Sequence, residues 1–391
     1  MPHLFFGTWL DIDLSSGQVE ERDLPDELIG ELIGGAAVMS KLMEDYSGEC
    51  ISLGTGPLTG TPCPGASAAF AGVRRGDGST AYAPVMLNAG LELKLTGFDF
   101  ILIHGRSERP VYIWMRDQVA DIVNGSGLPA EDSWGVCSAI RKGQGDPRIQ
   151  VISSSVGDCA SLNFVSGWDG IGFGRSMSGM NLRGIAFRGM GELELSEPED
   201  FLSKASELMS KEREKIGTRE GVGSLLSPEA AARIRGIKRN RSCFSCPYPC
   251  MSYFATDDPA YERMLLMDQR SLAALAEMPG QDELIIEALM RLHRKGMCAS
   301  DKIGETSGTI EDLVNEPVSK AAEEPQLNGL DNITKGVEPS DAISAGFILG
   351  ICPRYLGVIG AEMEGYAELL SLGIGREISS EDIRKAAERL S

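Results

Sequence analysis

Histidine, positive charge and long apolar runs are all scarce in this 391-residue sequence. Histidine occurs at His3, His104 and His293, so a metal centre built on several imidazoles has little to draw on, and each is read as structural. An E-x-x-H pair on a helix also fails at His293, where the residue three before is Met290. Lysine and arginine number 37 against 57 aspartates and glutamates, a net charge of -20. Phosphate backbones and anionic membranes repel such a chain, which argues against nucleic-acid or lipid-surface binding. The acidity itself is read as a solvated surface. No run approaches the roughly 20 apolar residues that cross a bilayer. The start "MPHLFFGTWLDIDLSSG" lacks the basic flank and apolar core of a secretory signal, which points to the cytoplasm.

Cysteine is present in odd number. Of the nine, Cys50, Cys63, Cys137, Cys159, Cys298 and Cys352 are scattered, whereas Cys243, Cys246 and Cys250 fall within eight residues. That pattern suits a metal site in a reducing compartment better than a disulfide framework. With 42% hydrophobic and 24% charged residues, the chain is an ordinary globular protein with room for two or three domains.

The pattern along the chain is α+β. "GTWLDIDLSSGQVEERDL" alternates and turns at Ser-Gly, and "FDFILIHGRSERPVYIWMRD" reads as two strands around a Gly/Ser/Pro break. "RIQVISSSVGD" and "LRGIAFRGMGELEL" add further strands, and "LIGELIGGAAVMSKLMEDY" is helical. Beyond residue 200 the period changes. "SEPEDFLSKASELMSKEREKIG" carries an N-terminal capping signature at Ser196 or Asp200. "AYERMLLMDQRSLAALAEM", "QDELIIEALMRLHRKGM" and "SSEDIRKAAERLS" are helical by spacing, while residues 299–345 read as loop-rich. No internal repeat is visible. A β-rich domain over 1–200 and a helical domain over 201–391 that carries the cysteine cluster are expected.

"NRSCFSCPYPCMSYF" spaces its cysteines C-x2-C-x3-C, the reverse of the radical-SAM order. Pro247 and Pro249 stiffen the loop, leaving the other amides to meet ligand sulfurs. Three thiolates need a fourth ligand, and Cys352 in "AGFILGICPRYLG" is the remote candidate. A [4Fe–4S] cluster, a zinc ion and unliganded thiols all remain open on spacing alone.

Several segments, in order, resemble the aldehyde ferredoxin oxidoreductase family of tungstopterin iron–sulfur enzymes. "SLGTGPLTGTPCPGA" resembles the family's G-P-L-T-G-T-x-A-P-G, and "LELKLTGFDFILIHGRSERPVYI" its E-L-K-x-A-G-Y-D stretch. "GIGFGRSMSGMNLRGIAFRG" resembles its G-L-G-A-V-M-G-S-K-N-L-K segment, "CFSCPYPC" its C-x-x-C-P-x-x-C, and "GICPRYL" its G-L-C. "IGGAAVMSKLMEDY" and "LLSLGIGREISSEDIRKAAERL" resemble its glycine-pair helix and its tail. The resemblance implies a [4Fe–4S] cluster on Cys243, Cys246, Cys250 and Cys352.

The positions that hold the pterins in the family differ here. Ala68 stands for an arginine, Gly170 for another, Met180 for a lysine and Phe347 for an aspartate; "APVMLNAG" replaces S-N-x-G-G. The first D-x-x-G-L motif aligns with "AALAEM" at 273–278, without its aspartate. Arg74, Arg75 and Arg175 are the cations that would compensate. The expectation is a shortened, divergent member with its cluster intact and its pterin site eroded. It would serve electron transfer or structure in an anaerobic redox complex, with ferredoxin or another iron–sulfur subunit as partner and oligomerisation open. One alternative is an active tungsten- or molybdenum-bis-pterin oxidoreductase that converts aldehydes to carboxylates with ferredoxin as acceptor. The other is a zinc-stabilised structural protein. Asp99 is read as a structural carboxylate, Cys63 and Cys159 as buried small residues, and "GIGFG" as close backbone packing rather than a phosphate loop.

Overall fold

The computed structural model describes residues 3–166, 170–218, 227–234, 237–255, 264–297, 308–315 and 341–390. Twelve strands in the amino-terminal half form two six-stranded sheets. The first contains β1 (Thr8–Asp13), β2 (Gln18–Asp23), β3 (Cys50–Thr55), β4 (Ala69–Arg74), β5 (Thr80–Val85) and β6 (Phe100–His104), ordered β2-β1-β6-β3-β4-β5. The second contains β7 (Val111–Arg116), β8 (Val119–Asn124), β9 (Gln150–Ser153), β10 (Ser161–Leu162), β11 (Val165–Ser166) and β12 (Leu182–Arg188), ordered β11-β10-β9-β12-β7-β8.

Reversed, the second order is β8-β7-β12-β9-β10-β11, which is the first order shifted by six strands. Each half runs hairpin, helical stretch, central strand, second hairpin, short helix, last strand. In each, the last strand inserts parallel to the first, β6 beside β1 and β12 beside β7, and all other pairings are antiparallel. The topology is thus a repeat that the sequence conceals. Alternation and turn positions specify a strand path, and the side chains on it are free to diverge, as CISLGT in β3 and QVIS in β9 do.

The short helices before the last strands, Ala89–Lys94 and Phe173–Gly179, each touch β3, β4 and β12 and so join the two sheets. The first is pinned by a fully buried ion pair, Lys94 Nζ to Asp99 Oδ1 at 2.6 Å. The other oxygen of Asp99 accepts the Gly7 N–H at 2.6 Å. A buried charge pair persists only when each member is satisfied, so Asp99 anchors the sheet.

The second half is not wholly helical. β13 (Ile237–Arg241), β14 (Met251–Ala255) and β15 (Met264–Asp268) form a three-stranded antiparallel sheet that flanks the cysteine loop. The predicted helix "AYERMLLMDQRSLAALAEM" therefore divides. Its MLLMD stretch pairs with β14, helix Gln269–Glu277 follows, and residues 260–263 lie outside the described residues. Cross-strand pairing overrides helical period in a short apolar run. "LIGELIGGAAVMSKLMEDY" likewise splits into Asp26–Leu32 and Gly35–Glu44 at Ile33 (φ +64). The helix predicted from Ser196 or Asp200 runs Pro198–Thr218. Of the loop-rich 299–345, the described parts are helix Ile310–Asn315 with its approach and the start of helix Asp341–Leu349. Among the described residues no helix is long and apolar enough to cross a membrane.

Two helix ends dock on the sheets in the same way. Helix Ile285–Arg294 stops at Gly296 (φ +67), where the Met297 N–H reaches back to the Leu292 carbonyl at 2.9 Å. Helix Asp341–Leu349 stops at Gly350 (φ +88), where the Ile351 N–H reaches Gly346 at 3.2 Å. Both are left-handed glycine caps, which satisfy the last helical carbonyls at little steric cost. In the β3–β4 connection, Leu58 and Ala68 donate to the Leu349 and Gly350 carbonyls at 2.9 and 3.2 Å. In the β9–β10 connection, Gly157 and Cys159 donate to the Lys295 and Gly296 carbonyls, both at 2.9 Å.

Candidate metal centre

The cysteine loop joins β13 to β14. Its first turn is closed by the Cys246 N–H on the Cys243 carbonyl at 3.2 Å, with Ser245 left-handed (φ +51). Cys352 caps helix Pro353–Ile359, one step past the docked Gly350 turn, with proline at the first helical position. Gly65 holds these two distant segments together. Its N–H donates to the Ser245 carbonyl at 2.7 Å, and its own carbonyl accepts the Cys352 N–H at 3.0 Å. Gly65 has φ +74, and a Cβ there would stand 2.3 Å from the Tyr355 ring, so a side chain is excluded twice over. Chemistry-bearing residues more than a hundred positions apart in sequence therefore meet through one glycine.

Cys243, Cys246, Cys250 and Cys352 share one apolar environment, and all but Cys246 are buried. The Cys243 and Cys246 thiols are held well above the ordinary range, first by burial and then by neighbouring sulfurs. Cys250 and Cys352 act on Cys243, and all three others act on Cys246. Four mutually repelling sulfurs in one dry pocket ionise only when something positive joins them. The Leu87 N–H points at the Cys243 sulfur at 3.2 Å. Beside Cys243 stands the buried Ser67 hydroxyl, which has no oxygen or nitrogen partner. Met86 meets the Cys352 sulfur at 3.8 Å. Among the described residues no group of three or more Cys, His, Asp or Glu has the geometry to hold a metal ion. Four thiols are the donor type that an iron–sulfur cluster takes, and the directed amide and the Ser67 hydroxyl beside Cys243 are groups that bond to sulfur.

The four altered positions do not converge on one site. Ala68 is fully buried between Thr59, which donates to its carbonyl, and the Gly350 turn. Phe347 is buried with its ring 5.1 Å from Phe70, centroid to centroid. Gly170 has φ +57, and Met180 caps the far end of helix Phe173–Gly179. Met180 lines a cleft of about 770 Å³ together with Arg74, Arg75, Arg106 and Arg175. That cleft lies at the Cys50–Arg74 end of β3 and β4, whereas Ala68 and the cysteines lie at the Thr55–Ala69 end. The three arginines offered as compensating cations are therefore gathered, but away from the thiols. The side chains present at Ala68 and Phe347 supply no cation or carboxylate for a pterin.

The docking pattern singles out a second turn. "AALAEM" lies within and just after helix Gln269–Glu277, while the turn that matches Leu349–Gly350 bond for bond is Lys295–Gly296. In the six-residue frame F-I-L-G-I-C, His293 then occupies the place of Phe347, and it is likewise buried. The matching Cys298 lies outside the described residues. Of the remaining small signals, His104 stacks on Tyr46 at 4.4 Å and bonds Asp11 at 2.9 Å. His3 lies 4.0 Å from Glu194. In "GIGFG", a Cβ at Gly174 would stand 2.4 Å from the Cys159 backbone.

Sequence reasoning passed over Gly65, Ser67, the Leu87 amide and Glu212. Glu212 is a buried carboxylate on helix Pro198–Thr218 that accepts hydrogen bonds from the Tyr355 and Tyr366 hydroxyls, the latter at 2.6 Å. The only available signal was the position of Tyr355, one helical turn after Cys352.

Residues 9–189 match the aldehyde ferredoxin oxidoreductase N-terminal domain. Over 369 residues the chain is 24% identical to the tungsten-containing aldehyde ferredoxin oxidoreductase of Thermococcus kodakarensis, spanning 77% of this chain and 60% of that protein. The protein of the same description from Pyrococcus furiosus is 24% identical over 370 residues, with the same shares. The chain thus spans about 60% of the length of these relatives. A shorter match, 26% over 132 residues, covers 31% of this chain and 21% of the WOR-like subunit of an aliphatic sulfonate oxidoreductase from Pyrococcus furiosus. Among solved structures, a chain of the active-site complex BamBC of benzoyl coenzyme A reductase, in complex with 1,5-dienoyl-CoA, aligns with a TM-score of 0.71. Its identity is 15%, over 99% of this chain and 88% of that one, and the likeness is one of fold. Residues 9–189 thus form an aldehyde ferredoxin oxidoreductase N-terminal domain, and most of the chain is distantly similar to longer tungsten-containing enzymes of that family.

Proposed function

We propose that the chain is an iron–sulfur electron carrier of this family, holding one [4Fe–4S] cluster on Cys243, Cys246, Cys250 and Cys352 and retaining little of a pterin site. The observation that carries the reading is the meeting of four thiols from two distant segments around Gly65, with the Leu87 N–H directed at one of the sulfurs. When bound, such a cluster supplies one-electron storage. The protein's own contribution is to exclude water with Met86, Leu87 and Ile351, and to aim the Leu87 amide at Cys243. Donors to a ligand sulfur favour its charged form and raise the potential.

Ala68 and Phe347 close the wall where the family would place a pterin, and an anionic ligand against them would be unpaired. We read that site as eroded, and the tungsten or molybdenum enzyme as the alternative it displaces. The loop reaches solvent at Cys246, the least buried of the four, beside Phe244, which is 37% exposed. Electrons would pass there to a ferredoxin or another iron–sulfur subunit. Two similar proteins, a WOR-like subunit and a chain of an active-site complex, are described as parts of assemblies, which supports a subunit role.

The test is anaerobic reconstitution with iron and sulfide, followed by reduction and electron paramagnetic resonance. A reduced-cluster signal, with no fluorescent pterin released on denaturation, is expected. A pterin released in stoichiometric amount favours the enzyme reading, and zinc retention without a cluster signal favours the structural one.

A further inference from the structure

Glu212 is 3% exposed, and Tyr355 and Tyr366, which donate to its two oxygens, are 1% and 0% exposed. The three come from different helices, Pro198–Thr218, Pro353–Ile359 and Met363–Ile374. The middle one begins at Cys352, and the Tyr355 ring packs on Gly65, whose carbonyl holds the Cys352 N–H. A carboxylate, two phenols and the candidate cluster thus share one continuous packed unit. Among the described residues no ion pair to Glu212 is formed. Lys211 and Lys215 on its own helix act on it through space, and Lys211 is paired with Glu362 at 3.6 Å. Among the described residues Cys63, in the β3–β4 connection, also faces it.

We propose that Glu212 is the proton acceptor that accompanies electron uptake at the cysteine site, so that this chain moves electrons and protons together. The inference rests on the cluster reading above. With a cluster bound, one electron from a low-potential one-electron donor would be taken up at the cysteine site, and one proton from solvent would form an O–H bond on Glu212. No other bond is made or broken, and reoxidation returns both particles. The added negative charge is what a buried carboxylate nearby resists, because two like charges in a dry interior cost more than one.

Glu212 is the member of the unit suited to this change. Burial raises its carboxyl above the ordinary range, and the two tyrosine donors and two lysines oppose that only in part. Burial and the carboxylate push both tyrosines far up, so they remain neutral donors. Burial does the same to the Cys63 thiol. The chain neighbour of Glu212, Lys211, is 59% exposed, so the carboxyl lies one residue from the solvent face of its helix.

The experiment is a potentiometric titration of the cluster-loaded full chain from about pH 5 to 9, with redox-difference infrared spectra. The midpoint is expected to fall as pH rises above the ordinary carboxylate range. The slope would approach about 59 mV per pH unit, the one-electron equivalent of a tenfold change in proton activity. A carboxylic acid band should appear on reduction. Glu212→Gln should flatten the profile and remove the band. Tyr366→Phe removes a donor that favours the charged form, so it should move the pH-dependent window upward at unchanged iron content. Tyr366→Phe carries the test alone if Glu212→Gln fails to fold. Identical profiles in wild type and variants, with iron present, would overturn the inference. A wild-type chain that takes up no iron sinks the cluster reading first and this one with it.

Discussion

In the first sheet repeat, the β3–β4 connection receives the Leu349–Gly350 turn; in the second, the β9–β10 connection receives Lys295–Gly296 through an equivalent pair of backbone bonds. The first connection, residues 56–68, is longer than the second, residues 154–160. The extra length contains Gly65 and Ser67, which reach the cysteine loop. Docking a helix end is thus a general property of this sheet path. The difference resides in what the longer connection adds, since in sequence a cysteine follows both turns, Cys352 after the first and Cys298 after the second. His293 and Phe347, at matching helix positions, are both buried.

The sharpest way to break this comparison is to replace one cysteine on each side. Cys352→Ser should remove most of the bound iron, whereas Cys159→Ser, beside the second turn, should leave the iron content and visible spectrum unchanged. Equal effects would erase the distinction between the repeats. The two turn glycines come next. Gly350→Ala would place a Cβ 2.1 Å from Thr59 Oγ1, and Gly296→Ala 2.6 Å from the Cys159 carbonyl, each at positive φ. Each should cost on the order of 1–3 kcal/mol, read from urea midpoints. Gly350→Ala should also lower iron loading per folded molecule, and a matching loss in Gly296→Ala would contradict the account.

A smaller effect is expected from pH. Burial raises the folded-state pKa of Glu212 above its unfolded value. The native state therefore binds the proton more tightly, and that contribution is fully present below the unfolded pKa. It is lost as pH rises through the folded one. Relative to Glu212→Gln, wild-type stability should fall across that window and level off above it. Urea midpoints measured across pH would show the decline or its absence. The smallest effect is Ser67→Ala, which should change stability by less than about 1 kcal/mol and lower the cluster midpoint potential at full iron content.

Much of the first half was legible because alternating strands and Ser-Gly or Gly-rich turns carry local signals, as in β1, β2, β6 and β7. The topological repeat was not, since register and strand order depend on contacts distant in sequence. The cysteine loop was legible from its spacing, but the strand Met264–Asp268 was not, because a short apolar run fits either period. At the site, cysteines announce themselves by residue type. Gly65, Ser67 and Glu212 do not, because their roles arise from which segments the fold places beside them. Phe347 was legible as a departure from a pattern, while its packing on Phe70 needed the structure.

The central claim is that the thiol site holds a cluster while the neighbouring wall holds no pterin metal. Metal analysis of protein purified without oxygen tests it most directly. The account predicts about four irons per chain, with neither tungsten nor molybdenum. Stoichiometric tungsten or molybdenum, or zinc in place of iron, would contradict it.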